Sequence, residues 1–263
     1  MEQTFDITIL SLSTLVIIGG YFFGGMVDSI CGGGGLIMVP ALLTTGMPPH
    51  MVVATNQLAG VAGCGTALYR YARNGNLNLR ASLYALPFTL IGAVLGSNLN
   101  LIMNEHTLKT VMVVLLPVLA IFTLLKMNFS DEDRSAGISR RRLMVGTAAV
   151  GLIVGTYHAF YGPASGAFFL MGFAMVLQCG VLKANGNARF QLVPCNLLAG
   201  LIYAYSGYFC WKAILVSTCG YVAGNWVGAG LAMRNGARVI RPVYYCVLAA
   251  LFLKLAAELV GIA

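Results

Sequence analysis

Charge is the scarcest commodity in this chain. Only 9% of its 263 residues are charged and 59% are hydrophobic, whereas an ordinary soluble domain carries roughly 25% charged residues. So few ionisable groups cannot make the polar shell that a soluble core of this length needs, which excludes a soluble globular domain. Alternation of polar and apolar residues is missing too. The runs at 83–101 and 108–125 are unbroken and of helical length, which excludes a membrane β-barrel. The seven cysteines (31, 64, 179, 195, 210, 219 and 246) include no CxxC pair. Lying in apolar stretches, they read as small hydrophobes, and neither a disulfide framework nor a metal site or cofactor is expected. A cleaved signal peptide is not expected either: the start carries Glu2 and Asp6 without Lys or Arg, and its apolar run leads into a glycine cluster.

What remains is apolar surface that must meet lipid, where only helices and closed barrels satisfy the backbone. The fold class is therefore an all-α polytopic membrane protein. Its formal charge of +8 does not signal nucleic acid, because the cations sit between apolar spans. They gather in three groups: Arg70, Arg73 and Arg80; Lys126, Arg134, Arg140, Arg141 and Arg142; Arg234, Arg238 and Arg241. By the positive-inside rule these loops face the cytoplasm, and the N- and C-termini face outside. The longest polar stretch, 128–142, reads as a cytoplasmic linker between halves 1–127 and 143–263.

Internal similarity supports that division. A displacement of about 130 residues lays Gly32–Gly35 on Gly162–Ser165 and brings Ala54-Thr55-Asn56 close to Ala184-Asn185 and Asn187. A slightly larger one matches Gly92 and Gly96 with Gly224 and Gly228, small-residue pairs suited to close helix crossing. Both halves then end in a leucine-rich segment with a lysine, Lys126 and Lys254. About five apolar segments per half is an odd number, so the second half is expected upside down relative to the first. Secondary transporters with inverted repeats bind substrate where the repeats meet.

Four consecutive glycines, Gly32–Gly35, cannot hold a helix in register, since each costs about 1 kcal/mol relative to alanine. The apolar piece after them is too short to span, so a broken or re-entrant helix is predicted, its free N–H groups (Gly33, Gly34, Gly35) forming an anion site. Gly162-Pro163-Ala164-Ser165 predicts a second break, with Ser165 at the new helix start. Ionisable residues at bilayer depth are costly and usually functional. Arg189 has the fork that matches a sulfonate or carboxylate, and Asp28 and His158, at matching places, are the proton-carrying candidates. Thr55, Asn56, Gln57, Asn185, Asn187, Gln191 and Asn196 supply a polar lining, some of them as ties between helices. Capping by Asp28 and a carbonyl bond from His158 are the plain structural alternatives, and His50 is expected at the membrane surface.

The stretch DSICGGGGLIMVPALLTTGMPPHMVVATNQL, with GTYHAFYGPASGAF and KANGNARFQL in the second half, resembles the motifs of the sulfite exporter TauE/SafE family. The resemblance covers essentially the whole chain and both repeats. It implies an inner-membrane permease for sulfite, a sulfonate or a related small sulfur-containing anion, usually working as an exporter. Three departures stand out. Gln57 replaces a common lysine, His158 a common aspartate, and Arg189 a common lysine, changes that favour a larger sulfonate held by a guanidinium.

The expectation is thus an anion transporter working by alternating access in the lipid bilayer, with proton coupling and homo-oligomer formation left open. The rivals are an anion channel on the same fold and an intramembrane serine hydrolase. The second would need His158 within hydrogen-bond reach of Ser165, which their spacing across a break does not ensure.

Overall fold

The computed structural model describes residues 12–108, 110–111 and 138–235, and no strand occurs among them. Most of the linker, the terminal lysines Lys126 and Lys254, Arg238, Arg241 and both termini lie outside the described residues. So does most of the fifth apolar segment expected in each half. The helices are α1 (Leu12–Cys31), α2 (Gly35–Leu43), α3 (Pro49–Arg73), α4 (Leu79–Ile102), α5 (Arg140–Phe160), α6 (Ser165–Leu177), α7 (Val181–Tyr205) and α8 (Trp211–Asn235).

Local chemistry sets their ends. Asn78 caps α4 by accepting from the Ala81 amide at 3.1 Å, and Ser139 caps α5 by accepting from Arg142. Pro49 opens α3, where its missing N–H costs nothing. The first break comes where predicted. Gly32 has φ +81, and a Cβ there would lie 2.1 Å from the Ala167 nitrogen, so only glycine fits. Nine residues of α2 reach about 14 Å, less than half of the hydrocarbon core. The second break ends at Ala164, itself in the left-handed region at φ 62, before the 13 residues of α6.

Among the described residues, five helices (α1, α3, α4, α5 and α8) are long and apolar enough to cross a membrane. Large side chains such as Leu15 on α1, Ile91 on α4, Ile153 on α5 and Leu215 on α8 point outward. The protein is a multi-pass helical membrane protein. The 25-residue α7 is as long as α3, and Asn185, Asn187, Arg189, Gln191 and Asn196 all turn inward on it. With α2 and α6 it forms the interior, where Leu42, Phe169 and Phe173 are fully buried.

In lipid, helices gain little from hiding apolar surface from one another, so close packing of small residues carries association. A Cβ on Gly96 would lie 2.1 Å from the Thr156 carbonyl, and one on Gly228 2.2 Å from the Met26 carbonyl. Gly92 faces Leu152 while Gly96 faces Thr156, so α4 and α5 run parallel. Gly220 faces Ile18 while Gly228 faces Met26, so α8 and α1 are parallel too. The central pair differs. On α3 and α7, Tyr71 meets Asn185, Cys64 meets Asn196 and Leu58 meets Gly200, which makes them antiparallel. His50, expected at the membrane surface, is buried at the start of α3, within 2.8 Å of Asn100 Oδ1 and 3.1 Å of the Met103 carbonyl.

Candidate functional site

The two breaks meet. The Ala167 amide in the first turn of α6 donates to the Gly32 carbonyl at 3.1 Å, and a Cβ on Gly35 would touch Pro163 Cα at 2.7 Å. One carbonyl freed by the first break thus satisfies one amide of the second helix start, groups that lipid could not satisfy. Beside this junction lies a small chamber with room for about one water-sized occupant. Gly32, Gly35, Gly162 and Ser165 contribute to its wall from the breaks, Asp28 and His158 from the helices before them. Asn56, Gly60 and Cys64 line it from α3, Asn196 from α7 and Tyr221 from α8. The first three recur every fourth residue, so they share one face of α3.

Asp28 and Arg189 form the site's ion pair. Arg189 is fully buried, and its Nη1 stands 2.5 Å from Asp28 Oδ2. Its Nη2 donates to the Asp28 backbone carbonyl, and its Nε to Asn185 Oδ1 at 3.3 Å. Tyr221 donates its hydroxyl to the same Oδ2 at 2.7 Å. Asp28 faces the chamber, whereas Arg189 stands behind it and is not among the lining residues. Removing two charges from water is tolerable only with such close pairing and full hydrogen bonding.

His158 occupies the other wall. Its Nδ1 is 2.6 Å from Ser165 Oγ and its Nε2 is 2.9 Å from Asn196 Oδ1. The Ser165 hydroxyl donates to the Gly162 carbonyl at 2.5 Å, so Oγ is left to accept from Nδ1–H. Asn196 in turn directs its Nδ2 to Cys64 Sγ at 3.7 Å. The fold therefore brings together His158 and Ser165, which sequence spacing alone did not join.

The remaining expected residues divide. Asn56 accepts from Tyr21 at 3.2 Å and lines the chamber. Gln57 donates from Nε2 to the His158 carbonyl at 2.7 Å, and its buried Oε1 has no hydrogen-bond partner. Thr55 bonds the Met47 sulfur at 3.7 Å. Asn187 is a tie to α4, accepting from Ser82 Oγ at 2.8 Å and from the Asn78 amide at 3.0 Å. Asn185 and Gln191 are ties as well: Asn185 donates to the Ser29 carbonyl and Gln191 to the Ser82 carbonyl. Gly33 and Gly34 lie in the first break, where a Cβ on Gly34 would strike the Gly24 carbonyl at 2.1 Å. Among the described residues no group of three or more His, Cys, Asp or Glu could hold a metal ion.

Several bonds come in matching pairs around the two breaks. Arg189 and Gln57 each donate to the backbone carbonyl of the ionisable residue preceding a break, Asp28 and His158. Tyr71 donates to the Ser29 carbonyl at 2.9 Å and Tyr203 to the Ala159 carbonyl at 2.8 Å. Sequence reading missed Cys64 and Tyr221. The spacing Asn56, Gly60, Cys64 was an available signal for the first; nothing local marked the second.

Comparison with known proteins agrees with this architecture. The chain is 37% identical over 237 residues to the probable membrane transporter protein ORF9 of Sinorhizobium sp, covering 90% of each. It is 32% identical over 238 residues to a probable membrane transporter protein of Haemophilus influenzae, covering 90% of this chain and 91% of the relative. With the probable membrane transporter protein YfcA of Escherichia coli K12 it shares 29% identity over 245 residues, covering 91% and 90%. No solved structure matches it. The model of the sulfite exporter TauE/SafE family matches residues 17–255, and the chain belongs to that family of membrane transporters.

Proposed function

We propose that the protein carries a small organosulfur anion, a sulfonate such as sulfoacetate or sulfite itself, out across the cytoplasmic membrane by alternating access. The observation that carries this reading is the chamber where the two broken helices meet, walled by imidazole, hydroxyl and amide groups. The anion is held there by the Asn56 amide and the His158 ring, with the helix starts at Gly35 and Ser165 adding their positive ends. Arg189 acts from behind, neutralising Asp28, whose carboxylate would otherwise repel the substrate. With room for about one water, the chamber is too small for a sulfonate, which enters only when the halves separate.

Two halves of opposite orientation fit this motion. The antiparallel course of α3 and α7, the parallel pairs α4–α5 and α1–α8, and the recurring bonds of Arg189 with Gln57 and Tyr71 with Tyr203 support an inverted repeat. The cationic loops then face the cytoplasm and the termini face outside.

The test is a thermal-shift and efflux panel on purified protein with sulfite, sulfoacetate, isethionate, taurine, thiosulfate and plain carboxylates. An anion present at about 100 times its Kd stabilises the fold by about 2.7 kcal/mol, and a transported one shows saturable flux from liposomes. No shift and no flux with any of them would refute the assignment, and linear flux would make the protein a channel.

The 2.6 Å contact between His158 and Ser165 favours a second reading, a serine hydrolase. Two features weigh against it. The Ser165 proton is committed to a carbonyl, and an amide rather than a carboxylate faces the far ring nitrogen. Covalent labelling of Ser165 by a fluorophosphonate would establish the enzyme; no labelling is expected.

A further inference from the structure

Resting on the transport reading above, we propose that His158, and not Asp28, binds the proton that accompanies each monovalent anion into the chamber, and that the Asn196 amide turns with it. Charge counting comes first. Asp28 and Arg189 cancel within one closed pair, so the empty chamber is neutral when His158 is neutral. An anion entering alone would leave one uncompensated negative charge away from water, which is strongly unfavourable. One added proton restores neutrality, and only two chamber-lining groups are placed to take it at physiological pH.

Asp28 is poorly placed. Protonating it would leave Arg189 as an unpaired buried cation, and donors already crowd this residue: Arg189 Nη1, the Tyr221 hydroxyl and the Cys64 thiol on Oδ2, and Arg189 Nη2 and the Gly32 amide on its carbonyl. His158 is prepared for the change. On one side, Ser165 Oγ accepts from Nδ1–H because its own proton is committed to Gly162. On the other, Asn196 presents Oδ1 to Nε2 and Nδ2 to Cys64. That orientation suits a ring with both nitrogens protonated. In the neutral ring Nε2 is a bare lone pair, and the amide rotates by half a turn, donating from Nδ2 to Nε2 and accepting the Cys64 thiol proton at Oδ1. The step adds one proton to Nε2, turns one amide and swaps the thiol's acceptor; no other bond changes. The titratable groups facing His158 are Asp28 from α1, Cys64 from α3, Arg189 from α7 and Tyr221 from α8. Of that ion pair the Asp28 carboxylate lines the chamber and the Arg189 guanidinium does not, so the nearer charge favours the imidazolium.

The experiment is calorimetric titration of the full-length protein in nanodiscs with isethionate and methanesulfonate, repeated in buffers of different ionisation enthalpy. Sulfite is unsuitable because it binds protons itself. The expected result is uptake of about one proton per anion, with apparent affinity rising about tenfold for each pH unit lowered while the free ring is neutral. Infrared difference spectra of the same titration are expected to show imidazole protonation and no new protonated-carboxyl band. His158→Gln is expected to bind more weakly and with no proton uptake. Binding without proton uptake in the natural protein, a new carboxyl band, or undiminished uptake by H158Q would each overturn the inference while leaving the transport reading intact. Failure of every anion in the wider panel to bind would overturn both.

Discussion

At the scale of single residues, the Asp28–Arg189 pair decides how the site can be probed. Each partner is buried, so removing one strands the other charge, at a cost of about 3–5 kcal/mol. Arg189→Leu or Asp28→Leu alone should therefore lower thermal stability sharply, and the double variant should lose much less than the sum of the two. Full additivity in the thermal unfolding of all three would show that the pair contributes nothing as a pair. Loss of anion binding in Arg189→Ala is for the same reason no proof that Arg189 touches substrate. The sequence marked both residues as unusual, because ionisable groups inside an apolar span stand out. Their partnership was illegible, since α1 and α7 are far apart in the chain and only tertiary packing joins them. The His158–Ser165 bond escaped for a related reason: the turn of Gly162 and the left-handed Ala164 fold the chain back in a way residue spacing does not express.

Among the helices, close approach at chosen glycines holds the bundle. Gly96→Ala should destabilise, because its Cβ would press on the Thr156 carbonyl at 2.1 Å, and overpacking of this kind costs about 1–3 kcal/mol. Gly65→Ala, by contrast, meets nothing within 4 Å and should gain up to about 1 kcal/mol from helix propensity. Melting temperatures of the two variants in one detergent should move in opposite directions; a shift of the same sign would discredit the packing account. The helix pattern itself was largely readable. Gly32–Gly35 announced the first break, and the GPAS segment announced the second. What could not be read was that the breaks dock on each other, or that Asn185, Asn187 and Gln191 spend their amides on ties while Asn56 and Asn196 reach the chamber. An amide's sequence context does not reveal which neighbour it will find.

For the whole molecule, the expectation with most reach is orientation. A fluorescent protein inserted at Ser139 should fold and glow, and alkaline phosphatase fused after Ser206 should be active, because the proposed orientation puts the first loop in the cytoplasm and the second outside. Reversed signals would invert the topology and with it the side from which substrate enters.

The bond between the Ala167 amide and the Gly32 carbonyl bears finally on the cost of keeping such a protein in an energised membrane. Two helices interrupted at mid-depth are the natural place for water to thread and for protons to leak down their gradient. Locked to one another, with room for about one water beside the junction, the interruptions leave little space for water to thread between them. The same lock would spare the membrane a proton leak through copies that stand idle.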